Sequence, residues 1–155
     1  MRNFRQLPTH AVAIMLLLAC CGAYVPHTRA QGGNASRATT PVQGSPERKA
    51  VLDAVRARLK LKSQFKVYHL KLNGDWAYFH GGEVVDAGEG ELQETDLDVK
   101  ALLERKQVAG KSAWVVAEIW TLPTDDQLSY KNFVARSRRR QKATNIPADI
   151  FPADM

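Results

Sequence analysis

A chain of 155 residues, 45% apolar and 25% charged, has the length of one domain and the composition of an ordinary globular protein. Both of its cysteines, Cys20 and Cys21, fall in an N-terminal apolar run, so the rest of the chain has no disulfide, no thiol nucleophile and no thiolate for zinc. The net charge of +6, from 22 Lys and Arg against 16 Asp and Glu, overstates how basic the working protein is once that N-terminus is considered.

Residues 1–10, MRNFRQLPTH, carry Arg2 and Arg5 and no acid, and residues 11–25, AVAIMLLLACCGAYV, are uncharged and apolar. PHTRA follows, with small residues at Thr28 and Ala30, which is the order of a secretory signal peptide cleaved after Ala30. The apolar core of about 15 residues falls short of the roughly 20 that span a bilayer, so no transmembrane helix is expected in the mature form. Leu17-Leu18-Ala19-Cys20 also resembles a lipobox, and a lipoprotein anchored through Cys20 is the alternative. Cleavage after Ala30 removes three bases and no acid, taking the net charge from +6 to +3. The expected location is periplasmic or secreted.

QGGNASRATTPVQG (31–44) is polar and reads as a flexible linker. A single α+β domain is expected over 45–155. Ser45-Pro46-Glu47 supplies a capping hydroxyl, a proline at the first helical position and an acid at the positive end of the helix dipole. Val51, Leu52, Val55 and Leu59 then share one face of a helix over 46–60, with Arg48, Lys49, Arg56, Arg58 and Lys60 on the solvated one.

FKVYHLKLN (65–73) reads as a strand, and Asn73-Gly74 as a two-residue type I′ turn into DWAYFHG. Alternation sends Trp76 and Tyr78 to one face and Ala77 and Phe79 to the other. Outward from that turn Leu72 is expected opposite Asp75 and His69 opposite Tyr78, with Gly81-Gly82 releasing the chain. EVVDAGEGELQETDLD (83–98) holds seven acids and no base and reads as a mobile acidic loop. DVKALLERK (98–106) suits helix or strand. KSAWVVAEIWTL (111–122) is a strand by its Trp, Val and Ile content, and the VAGK between them favours a second hairpin. In the tail, Leu128, Phe133 and Val134 are expected to face the core from a helix capped by Thr124. RSRRRQK (136–142) is expected exposed, and Ile146, Pro147, Ile150 and Phe151 to dock on the sheet.

RKAVLDAVR (48–56), GDWAYF (74–79), ALLERK (101–106), WVVAEI (114–119), PTD (123–125) and IPADIF (146–151), taken in that order, resemble a group of small secreted bacterial proteins without an assigned activity. The resemblance covers most of 46–151 and implies architecture alone. That architecture is an N-terminal helix packed on a curved antiparallel sheet of about four strands, similar to cystatin-like or NTF2-like shapes. The acidic stretch and the arginine-rich tail depart from the group's pattern.

Few constellations point to chemistry. His69 and His80 sit on successive strands with only Glu83 as a third donor, which is too little for a metal site. The acids of 83–98 lack the calcium-loop spacing, and neither a phosphate-cradling GxxxxGK[ST] nor a GxSxG elbow is present. No cofactor is implied. Arg136, Arg138, Arg139, Arg140 and Lys142 would suggest nucleic acid in a cytosolic protein. After export they suggest an anionic envelope surface or an acidic protein instead. The expectation is an envelope module that binds rather than catalyses, including inhibitor or immunity-type proteins. The alternative is a small-ligand carrier or enzyme whose cavity is lined by Trp76, Tyr78, Trp114 and Trp120.

Overall fold

The computed structural model describes residues 37–123 and 128–155. The export segment with Cys20 and Ala30, linker residues 31–36 and the Thr124 cap lie outside them. Helix α1 (Pro46–Leu59) is followed by strands β1 (Gln64–Asn73), β2 (Trp76–Gly88), β3 (Glu91–Val108) and β4 (Lys111–Leu122). Helix α2 (Ser129–Thr144) and a 3-10 turn (Ala148–Ile150) close the chain. The strands form one antiparallel sheet in the order β1-β2-β3-β4, and the fold is α+β.

Local chemistry sets α1. The Ser45 hydroxyl accepts from the Arg48 amide at 3.3 Å, Pro46 opens the helix, and Lys60 ends it in the left-handed region. Val51 and Val55 are fully buried against Leu70, Leu72, Ala77, Phe79, Val99, Ala101, Leu103 and Trp114, all on one face of the sheet. The other face carries Trp76, Tyr78 and Leu102, which pack on Phe133 of α2 and on Ile146, Ile150 and Phe151. One helix therefore covers each face: α1 on one, and on the other the tail helix from which Phe133 is expected to face the core. Each fully buried Phe or Leu contributes on the order of 2 kcal/mol of transfer free energy. Among the described residues no helix is long and apolar enough to cross a membrane.

The structure corrects several expectations. The part of the linker in view is tied down: Thr39 pairs with Leu72 through backbone bonds of 2.8 and 2.9 Å, and the Ala38 amide donates to Asp149 Oδ2 at 2.7 Å. The first hairpin turns on Gly74-Asp75, with Asn73 opposite Trp76 and His69 opposite His80. Only Gly74 of the two turn residues has positive φ, as a type II′ turn requires. Gly81 and Gly82 lie mid-strand and buried, where they admit the Lys66 backbone and the Tyr68 ring. The stretch 83–98 is no loop but the paired ends of β2 and β3. Leu128 is 58% exposed, whereas Phe133 is fully buried.

Candidate functional site

Strands β2 and β3 outrun their neighbours. β1 begins at Gln64, opposite Val84, and β4 ends at Leu122, opposite Asp98. Residues 85–88 and 91–97 therefore form a two-stranded arm with no described strand on either outer side. Glu89 and Gly90 turn it with φ of 55° and 81°. At its root Thr95, Asp96 and Leu97 stand against the single residue Glu83, a bulge that bends the ribbon. The Thr95 hydroxyl donates to Glu83 Oε2 at 2.9 Å, and Ser63 donates to the other oxygen.

The arm's acids divide into two sets. Glu94 takes the Lys66 ammonium and the Tyr68 hydroxyl, the latter at 2.9 Å. The Lys66 contact holds the Glu94 carboxyl below its usual range, and in return Glu94 raises both Lys66 and Tyr68. Asp86 accepts from the Gly88 amide at 2.9 Å. Asp86, Glu89, Glu91 and Asp96 are exposed and have no ion pair among the described residues. A groove of about 270 Å³ at the root is lined by Gln64, Phe65, Lys66, Val84, Leu92 and Glu94, with Leu92 56% exposed.

On the α2 face one rung crosses all four strands: His69, His80, Lys100 and Trp120 are successive partners. The Lys100 ammonium lies 2.9 Å from Asp98 Oδ2, 4.6 Å from the Trp120 ring centre and 5.3 Å from that of Tyr130. His80 Nε2 is 2.8 Å from Asp98 Oδ1, but that oxygen receives no aligned hydrogen bond, so the contact is one of proximity. Burial, and then the neighbouring Lys100, holds the His80 imidazole below its usual range and neutral. His69 Nε2 donates to the Ile150 carbonyl at 2.8 Å, which fixes its tautomer. The two imidazoles are thus cross-strand partners that contact different groups, and their rings lie edge-on to Tyr78 and Tyr68. Among the described residues no three His, Cys, Asp or Glu side chains are placed to hold a metal.

The four aromatics expected to share a cavity do not share a face. Trp114 packs on the α1 side, where its Nε1 donates to Glu47 Oε1 at 3.0 Å and Arg105 lies 4.6 Å from its ring centre. Trp76, Tyr78 and Trp120 are on the α2 side, Tyr78 wedged 5.4 Å from Phe151 and 6.5 Å from Phe133. Burial drives the Tyr78 hydroxyl far above its usual range, and it has no hydrogen-bond partner among the described residues.

The basic segment 136–142 is about two turns of α2 with mixed duties, rather than a free tail. Ser137 is fully buried. Arg138 lies over the Phe151 ring at 5.5 Å and donates to Gln141 Oε1 at 2.9 Å and to the Met155 main-chain oxygen. Arg136 and Arg140 both engage Glu118 of β4 at 2.9 Å. Arg139 and Lys142 are exposed.

No protein-family model matches this chain, and neither does any curated protein or solved structure. The features that sequence reasoning missed are the paired β2–β3 arm and the Asp98–Lys100–Trp120 network. Alternation across 96–104 carried a signal for the strand: Asp98 and Lys100 interleave with Val99 and Ala101, the period-two pattern of a sheet.

Proposed function

We propose that this protein is an exported, non-catalytic interaction module that works in the bacterial envelope and recognises a partner protein with its β2–β3 arm. The observation that carries the reading is that β2 and β3 extend past both neighbouring strands while keeping their pairing. Such an arm offers two unpaired backbone edges, the geometry by which an extended segment adds as a further strand. The unpaired acids Asp86, Glu89, Glu91 and Asp96 select a basic segment, and the groove at Phe65, Val84 and Leu92 offers an apolar anchor. Export rests on the order of residues 1–30. Membership of the group of small secreted proteins remains part of the same proposal.

The test is a pull-down from envelope extract at low and moderate salt, using the chain and a variant with Asp86→Asn, Glu89→Gln, Glu91→Gln and Asp96→Asn. A discrete protein recovered by the chain and lost by the variant supports the reading. Recovery of nothing at either salt, or equal recovery by both, overturns it.

A further inference from the structure

We propose that the groove between α2 and β4 is a binding site for a phosphate group carrying two negative charges. Arg136, Arg139 and Arg140, at spacings of three and four on one face of α2, line it together with Glu118, Ala143 and Thr144. Its volume is about 330 Å³, near the lower end of small-ligand sites and suited to a phosphorylated head rather than a large molecule.

Glu118 gives the groove its order. Its side chain is only 13% exposed, and both of its oxygens are taken. Oε2 accepts from Arg136 Nε at 2.9 Å, and Oε1 accepts from Arg140 Nε at 3.2 Å and Nη2 at 2.9 Å. The carboxylate thus grips both guanidinium groups by their Nε edges. The two Nη groups of Arg136, the Nη1 of Arg140 and the whole fork of Arg139 have no hydrogen-bond acceptor among the described residues. Three guanidinium groups against one carboxylate leave two positive charges, which a phosphate monoester or pyrophosphate matches. Guanidinium forks bind such oxygens in pairs, with geometric selectivity that an ammonium lacks.

The arrangement differs from a solubilising face in two respects. Bases and acids alternate on a solubilising helix, whereas 136–142 has five bases and no acid. Of the other two bases, Lys142 does not line the groove and Arg138 is committed to Phe151, Gln141 and Met155 on another side of α2, so the groove is a separate arginine face. The inference is independent of the arm and of its partner.

Calorimetric titration of the full chain with inorganic phosphate and with pyrophosphate at low salt reads a soluble ligand. Flotation with phosphatidylcholine vesicles, with and without phosphatidic acid, reads a lipid headgroup. Comparison with Arg139→Gln cancels any contribution of residues 11–25, which both chains keep. Saturable binding in either arm, weakened about tenfold by Arg139→Gln and little changed by Lys142→Gln, is expected. Glu118→Gln decides between an ordered site and plain charge: it adds a net positive charge yet frees both guanidinium groups, so an ordered site weakens and a charge cloud tightens. Tighter binding by Glu118→Gln, equal losses from Arg139→Gln and Lys142→Gln, or no saturable binding in either arm overturns the proposal.

Discussion

His80 stands directly opposite His69 across β1 and β2, yet the two rings take their partners from different parts of the chain. His69 secures the closing 3-10 turn through Ile150, while His80 rests against Asp98 and Lys100 on β3. The first contact is a fastening. The second is a titratable group held neutral in a half-buried place.

That difference predicts a pH dependence. The folded state holds His80 below its unfolded value of about 6.5, because burial and Lys100 oppose its charge. Between the two values the unfolded chain binds more protons, so this contribution to stability is complete above about pH 6.5 and is lost as pH falls through the lower folded value. Urea unfolding from pH 8 to pH 5 should show this decline, and His80→Gln should flatten it. Parallel profiles for the two chains would refute the assignment.

Asp149 fastens the N-terminal segment. It accepts from the Ala38 amide at 2.7 Å and from Asn73 Nδ2 at 3.2 Å, and the Ala38 bond is the main cause of its lowered carboxyl pKa. Asp149→Ala should therefore cost about 1 kcal/mol, as expected for exposed charge-assisted bonds. It should also raise amide exchange at Ala38, Thr39 and Leu72 while leaving β3 protected. Acid should do the same: the fastening is whole above about pH 4 and is lost as pH falls through the depressed folded value.

Gly81 and Gly82 are adjacent and both buried, but a methyl group meets different neighbours at each. A Cβ at Gly81 would lie 2.6 Å from the Lys66 carbonyl oxygen and 2.8 Å from the Phe79 ring, and the strand backbone cannot yield. A Cβ at Gly82 would lie 2.7 Å from the Tyr68 hydroxyl, the far end of a half-exposed side chain. Gly81→Ala should destabilise by about 3 kcal/mol and Gly82→Ala by about 1 kcal/mol or less, measured by thermal unfolding.

The β3–β4 hairpin turns on Ala109-Gly110, with φ of 49° and 76°. A type I′ turn needs both signs positive, and alanine holds the left-handed region at a cost of roughly 1 kcal/mol. Ala109→Gly or Ala109→Asn should raise stability by about 0.5–1 kcal/mol, read as a higher denaturation midpoint. An unchanged or lower midpoint for both would contradict the turn geometry.

What was legible in the sequence was local. The cap of α1 lies in three consecutive residues, and the strand of KSAWVVAEIW is written in its Trp, Val and Ile. The arm was not legible, because Asp, Glu and Gly are poor strand formers and only the pairing of β2 with β3 makes 83–98 extended. The turn slipped by one residue for a related reason. The Asn73 amide is spent on Asp149, 76 positions away, and the local preference for Asn-Gly gave way. Likewise the arginines of 136–142 look like one exposed run until Glu118, Phe151 and Met155 arrive from distant parts of the chain and divide them.

An open β edge invites stacking between identical molecules, and proteins commonly blunt such edges with charge. Here the acids at 86, 89, 91 and 96 give every copy of the arm the same sign. Two arms brought together repel before their backbones can pair. Neutralising those side chains removes that repulsion. The acids are thus suited to act as gatekeepers against self-pairing, and on the proposed reading they leave the edge open to a chain that arrives with the opposite charge.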